Sequence, residues 1–157
     1  MDLFYYGVNQ LSNYKECFRK GLLQKVQPSK DKCKSSIKKA EQWLEEAEKN
    51  MNSSAFDSCL ASSYMATFHA ARGILFRDGI REKSHFCIAR YLEKYVEDNL
   101  LEEEWVLLLD RMRDIRHMNQ YTLQYHATKD EASSCLNSAN EFVNRMKDLF
   151  KETMKLK

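Results

Sequence analysis

The chain has 157 residues and a mass of 18.6 kDa, enough for one domain that buries roughly two-thirds of its unfolded surface. Its hydrophobic fraction of 43% and charged fraction of 31% exclude a collagenous or fully disordered chain. The formal net charge of +2 conceals a segregation: eight cations (Arg19, Lys20, Lys25, Lys30, Lys32, Lys34, Lys38, Lys39) face Asp31 alone, and seven acids (Glu93, Glu97, Asp98, Glu102, Glu103, Glu104, Asp110) face Lys94 alone. Such blocks either steer a polyanion and dock one copy on another, or are solvated helix faces.

Glycine and proline shape the expected fold. The four glycines and one proline all precede residue 80, and a β-protein of this size needs many tight turns built from them. The expectation is an all-α, up-and-down antiparallel bundle of five to six helices, a single domain over 1–157. Residues 1–8, with Leu3, Phe4, Tyr5 and Tyr6 before Gly7, read as an apolar tail. A weak first helix runs from Asn9 to Val26, and Pro28 can open the second, because its missing N–H is an orphan there anyway. That second helix continues to about Met51, with Cys33, Ile37, Ala40, Trp43, Leu44 and Ala47 at three-to-four spacing.

Ser54 followed by Asp57 predicts a capped start for the third helix, Ser54 to Asp78. Leu60, Tyr64, Thr67, Ala71, Ile74 and Leu75 share one face, while Met65, Ala66, Phe76 and His69 lie elsewhere. A helix apolar nearly all round belongs at the centre of a bundle. Gly79 suits the left-handed residue that ends it. Ser84 can cap a fourth helix to about Asp98, and Asn99 can open a fifth with Glu102 to Glu104 in its first turn. Thr128-Lys129-Asp130-Glu131 matches a capping box and starts a sixth helix to about Glu152. Between them, the end of the fifth helix near Tyr121 to Thr128 has no glycine stop.

No run of 18 uncharged apolar residues occurs, and the N-terminus lacks a basic region followed by an apolar stretch. No membrane span or secretory signal is therefore expected, and the expected location is the cytoplasm. Five scattered cysteines (Cys17, Cys33, Cys59, Cys87, Cys135) fit neither a disulfide framework nor a metal ribbon, so free buried thiols are expected. His85 and Cys87 point to different helix faces, and no spacing supplies three ligands, so neither a metal nor another cofactor is expected.

The fifth helix carries the chemistry. Placed at 100° intervals, Trp105, Leu108, Met112, Ile115, Asn119 and Leu123 cluster on one side, with Arg116 at the edge roughly 40° from Met112. Arg113, His117 and Tyr121 form a second, polar stripe. In an active-site reading, Arg116 stabilises a phosphoryl anion and His117, Tyr121 or His126 handles protons. In a structural reading, Arg116 pairs with a buried carboxylate and His117 is merely exposed. His69, within an apolar helix, is either a hydrogen-bonded core residue or a second site candidate.

The run Ala61-Ser62-Ser63-Tyr64-Met65-Ala66-Thr67-Phe68-His69-Ala70-Ala71-Arg72-Gly73-Ile74-Leu75 resembles the central-helix signature of HEPN domains, the higher eukaryotes and prokaryotes nucleotide-binding family. Ala40 to Ala47, the Asp78 to His85 connection, Leu109 to His117 and the Thr128 to Phe150 helix are similar to its small archaeal and bacterial members, in the same order over roughly residues 20 to 150. The resemblance implies a homodimer and a nucleotidyltransferase partner in a toxin–antitoxin module. It also implies an interface cleft for nucleotide or RNA, in which many members cleave RNA without a metal using an Arg followed after four to six residues by His. The arginine maps to Arg116, but the later position holds Tyr121. With a reference pKa near 10, tyrosine is a poor base at neutral pH, though it can donate a hydrogen bond or stack. The implied catalytic set is Arg116, Tyr121 and His117, and the nucleotide- or RNA-binding set is Arg116, Asn119, His69, Arg72, Tyr125 and His126. The alternative is a non-catalytic interaction module.

Overall fold

The computed structural model describes residues 13–156; the apolar tail 1–8 and the first residues of the expected first helix lie outside them. The fold is all-α, with six helices and one two-stranded sheet among the described residues: α1 Tyr14–Arg19, β1 Leu23–Lys25, α2 Lys30–Asn52, α3 Phe56–Asp78, β2 Ile80–Glu82, α4 His85–Glu97, α5 Glu103–Tyr121 and α6 Lys129–Lys155. The expected first helix is cut to six residues because Gly21 adopts φ +70°. The chain then extends as β1 and pairs antiparallel with β2, Leu23 opposite Glu82 and Lys25 opposite Ile80. Burial of Leu23 and Ile80 fastens this ribbon to the core.

The centre is α3. Leu60, Tyr64, Ala66, Thr67, Ala70, Ala71, Ile74 and Leu75 are all buried, as expected of a helix apolar all round. Its neighbour α2 runs antiparallel, since Asn50 donates to Ser62 Oγ (3.0 Å) at one end and Ser36 donates to the His69 carbonyl (2.7 Å) nearer the other. A Cβ on Gly73 would meet Ile37 Cδ1 at 3.3 Å and the Cys33 carbonyl at 3.4 Å, so the small residue sets how closely the two helices approach. The pairs Phe86–Arg113 and Arg90–Asp110 set α4 antiparallel to α5, and Trp105–Phe142 with Glu102–Arg145 sets α5 antiparallel to α6. One join differs. Extended β2 carries the chain back along α3, so α4 starts beside Tyr64 and Phe68 and ends where Tyr95 meets Arg77, parallel to α3.

A buried polar cluster locks the end of α3. The Arg77 guanidinium donates to Asp78 Oδ1 (2.9 Å), Thr153 Oγ1 and the Tyr95 hydroxyl, while Tyr91 (2.9 Å) and Tyr95 donate to Asp78 Oδ2. Burial, with the Asp78 carboxylate beside them, pushes both phenols well above their ordinary range. Each buried charge has its partners, which removes the desolvation penalty of an isolated one.

Several local expectations change. Ser54 does not cap α3: it sits at φ +59°, Ala55 takes the N-cap position, and no side chain caps the helix. Asn99 closes α4 instead of opening α5, because at φ +57° it takes the left-handed conformation that asparagine tolerates. Leu123 is 97% exposed, not on the buried stripe, since α5 stops at Tyr121 and Thr122 is extended. Ser84 takes the N-cap position of α4 but makes no side-chain cap bond. Gly79, at φ +75°, ends α3 as expected, and Thr128 with Glu131 completes the capping box of α6. Among the described residues, no helix is long and apolar enough to cross a membrane.

The thiol expectation needs correction. Cys17 and Cys87 form a disulfide between α1 and α4, with Cα atoms 5.9 Å apart, while Cys33, Cys59 and Cys135 are free and buried. A sequence separation of 70 hid this pairing, which the packing of α1 on α4 creates. Thiol titration of the unfolded, unreduced protein is expected to find three free thiols. Reduction is expected to lower stability by about 4 kcal/mol in the chain-entropy treatment of a loop this long, read by denaturant unfolding with and without reductant. Five free thiols before reduction would contradict the disulfide.

Candidate functional site

Helices α3, α4 and α5 meet around an aromatic patch ringed by arginines. The Tyr64 hydroxyl lies 2.7 Å from His85 Nδ1. The His85 ring stacks on Phe68, with centroids 4.3 Å apart and planes at 28°. Arg116 projects from α5 over the Tyr64 ring, 5.3 Å from its centroid. Arg113 and Arg90 flank Phe86 at 4.9 and 4.7 Å. Arg72 stands 4.9 Å from Phe76 and 5.6 Å from Phe68. A shallow depression between them is lined by Tyr64, Phe68, His85, Ile88, Leu109 and Arg113.

Charge pairing separates these arginines. Arg72 binds Glu82 (2.8 Å), Arg90 binds Glu93 (3.0 Å) and Asp110, and Arg113 binds Asp110 (3.0 Å) and Asp114 (3.3 Å). Among the described residues, no carboxylate pairs with Arg116, and the Tyr64 ring is its neighbour. The structural reading, in which a buried carboxylate holds Arg116, therefore has no acid to rest on. A half-buried guanidinium on an aromatic face, with its donors unclaimed by acids, suits an incoming phosphate.

The same charges tune the histidines. His85 is exposed at the rim, yet its packing on Tyr64 and Phe68 and the nearby Arg116, Arg72 and Arg113 lower its pKa. The His69 ring, 5.0 Å from Phe68, is lowered to about 4 by burial and by Arg72, Lys39 and His85. Burial pushes the Tyr64 phenol up to about 12, opposed by Arg116 and Arg113. The patch thus holds two neutral imidazoles and an un-ionised phenol at pH 7. Neutral imidazole can accept a proton, and the exposed His85 ring can stack on a base.

Of the residues singled out from the sequence, Arg116, His69 and Arg72 come together around Tyr64 and Phe68. His117 and Tyr121 do not. Both are exposed on the outer side of α5, with rings 4.7 Å apart and Tyr121 66% exposed. Asn119 donates to the Asp57 carbonyl (3.3 Å), and its Oδ1 is buried without a partner. Tyr125 donates to Glu131 (3.3 Å), and His126 Nδ1 lies 3.2 Å from Asp57 Oδ2, whose Oδ1 accepts the Ala127 N–H (2.7 Å). These bonds, the Ala127 one foremost, hold the Asp57 carboxyl below its ordinary range and pin the α5–α6 connection to the start of α3. Among the described residues, no three His, Cys, Asp or Glu side chains gather as a metal site.

Sequence reasoning missed His85, Tyr64, Phe68 and Arg113. His85 drew notice only for its spacing from Cys87. The one available signal was a histidine in the first turn after Ser84, and its meaning depends on β2 returning α4 to the start of α3.

The family model described as HEPN domain matches residues 33–149. The chain is 28% identical over 118 residues to an Archaeoglobus fulgidus protein named UPF0332 protein, covering 75% of this chain and 94% of that one. Two Methanocaldococcus jannaschii proteins are also similar. "Putative toxin MJ0605" is 26% identical over 126 residues (80% of this chain, 93% of the relative), and "Putative toxin MJ0142" is 25% identical over 112 residues (71% and 76%).

His69 gives the patch a measurable signature. The unfolded chain protonates an ordinary histidine near pH 6.5, while folded His69 resists until about pH 4, so the unfolded state binds more protons between those values. Stability is expected to be complete above pH 6.5 and to fall as the pH drops towards 4, with His85 adding in the same direction. Denaturant unfolding across this range should show a shallower acid limb for His69→Gln. An unchanged limb would contradict a half-buried, neutral His69.

Proposed function

Because this chain belongs to the HEPN domain family, with the family model spanning residues 33–149, we propose that it is a homodimeric, toxin-like protein that binds nucleotide or RNA in the cleft between α3, α4 and α5. The observation that carries the proposal is Arg116, half-buried on the Tyr64 ring with no acid partner among the described residues. It sits in a patch where the exposed His85 ring offers a face, and where Arg72 and Arg113, each also paired with an acid, line the rim. Phosphate on the guanidinium and a base on a ring is the usual division of labour in single-strand recognition. The toxin names of two relatives support placing the protein in a toxin–antitoxin module; a minimal nucleotidyltransferase as partner rests on the family resemblance alone.

Cleavage of the bound strand is a second reading, favoured by His85: a neutral ring at the cleft rim, one nitrogen beside the Tyr64 hydroxyl. Attack by a ribose 2′-hydroxyl needs a base active near neutral pH, which His85 supplies and Tyr121 does not. A cleft that binds without cleaving is the interaction-module alternative.

Titration of a labelled single-stranded RNA tests both readings. Arg116→Ala is expected to weaken binding at least about tenfold and to reduce the salt dependence by one phosphate contact, a slope change of roughly 0.7. Equal binding by the two proteins would overturn the cleft. Cleavage in the presence of a chelator, lost in His85→Asn while binding persists, would establish the second reading; binding without cleavage leaves the protein an interaction module.

A further inference from the structure

The disulfide stands beside the candidate site. Cys87 lies in the first turn of α4, next to Phe86 and two residues from His85, and its partner Cys17 sits in the six-residue α1. Bond and ribbon close one small ring. Leu22 donates to the Cys17 carbonyl (2.9 Å) and accepts from the Lys83 N–H (2.8 Å), Leu23 pairs with Glu82, and the chain returns from Lys83 to Cys87. The turn that this ring holds has no side-chain cap from Ser84. Its other side chains are site residues: His85 rests against Tyr64 and Phe68, and Phe86 lies between Arg90 and Arg113.

We infer that the Cys17–Cys87 bond is a redox switch for this site, the oxidised chain holding the cleft in its nucleic-acid-binding shape and reduction by a dithiol relaxing it. The dithiol attacks one sulfur as a thiolate, passes through a mixed disulfide and leaves as its own disulfide, so two electrons and two protons convert the bond into two thiols. Two sulfurs in van der Waals contact stand further apart than two bonded ones. Both cysteines are fully buried, and a packed interior has no slack to absorb the difference. The first turn of α4 and α1 must therefore part. Besides the bond, α1 is held by Tyr14 and Phe18 edge-on to Tyr91, with centroids 6.5 and 6.4 Å apart. Local lifting of so short a helix also admits the reductant.

Two observations favour a switch over a staple. A chain of 157 residues has core enough to fold without a cross-link. Burial raises the Cys33, Cys59 and Cys135 thiols above their ordinary range, Cys33 to about 11, which keeps them protonated and poor partners for exchange. Cys17 and Cys87 are thus the pair that answers to a dithiol. The switch regulates the nucleic-acid cleft of the proposed function and rests on that reading.

Titration of labelled single-stranded RNA onto the oxidised chain and onto the chain reduced with dithiothreitol tests it. Denaturant melts check the fold of each form, and NMR follows the His85 imidazole, assigned with His85→Asn. Reduction is expected to weaken binding at least about fivefold, the lower end of usual coupling between sites. The double variant C17A/C87A should bind as weakly as the reduced chain and ignore the dithiol, whereas Cys33→Ala should respond as the wild type does. The His85 pKa, held low by its packing and the nearby arginines, should rise towards its ordinary value on reduction. Equal RNA affinity in the two folded states would overturn the switch and leave the cleft standing. Binding by neither form would overturn the cleft; the switch then rests on His85 alone, and an unmoved pKa would overturn it. Loss of the cooperative melt on reduction would also overturn it, since the bond would then be a staple of the whole fold.

Discussion

The fold depends on a helix with almost no face for water. Residues of α3 from Cys59 to Arg77 are buried at fourteen positions, so nearly every side of that helix is covered, the half-exposed row Met65, His69, Arg72 and Phe76 excepted. The amphipathic α2 and α6 cover two sides, and small residues let them approach: Gly73 touches the turn at Cys33 and Ile37, and Ala70 and Ala71 are fully buried. Where α3 ends in a charged pair, Arg77 and Asp78, the charges are satisfied from α4 and α6 by Tyr91, Tyr95 and Thr153.

Covering the remaining side of α3 creates the cleft. A simple hairpin from α3 to α4 would place the start of α4 at the far end of the molecule, away from Tyr64. Instead β2 returns the chain along α3 and pairs with β1, and the disulfide from Cys17 to Cys87 ties α1 to the first turns of α4. His85 and Phe86 are thereby set against Tyr64, Phe68 and the arginines of α5. The partial exposure of Met65, His69, Arg72 and Phe76 along α3 marks where this cover is incomplete. The proposed binding patch thus lies beside the one side of the central helix that the bundle does not close.

Much of the architecture was legible in the sequence, and the reasons are specific. The apolar circumference of α3, the left-handed Gly79 and the Thr128–Glu131 capping box are local signals, read correctly because neighbouring residues decide them. The starts of α3 and α5 were misplaced, since Ser54 and Asn99 can either cap a helix or take a positive φ, and only the tertiary path selects between these. Arg116 was found from helical geometry. Tyr64, Phe68, His85 and Arg113 were not, because their meeting depends on β2, a three-residue strand whose pairing partner lies 57 positions earlier in the chain at Leu23 to Lys25. The Cys17–Cys87 bond was hidden by the same ribbon. Expected partners of Arg116, Tyr121 and His117, lie across α5 from it for the plain reason that α5 stays helical to Tyr121.

Nucleic acid bound by the aromatic patch around Arg116, and not by the lysines of the first third of the chain, is the central proposal for this protein. Ultraviolet cross-linking of bound single-stranded RNA, followed by mass spectrometry of the digested protein, locates the contact without any substitution. Adducts on peptides carrying His85 or Arg116 are the predicted result. Adducts confined to the segment from Arg19 to Lys39 would contradict it and would make this a non-specific basic surface.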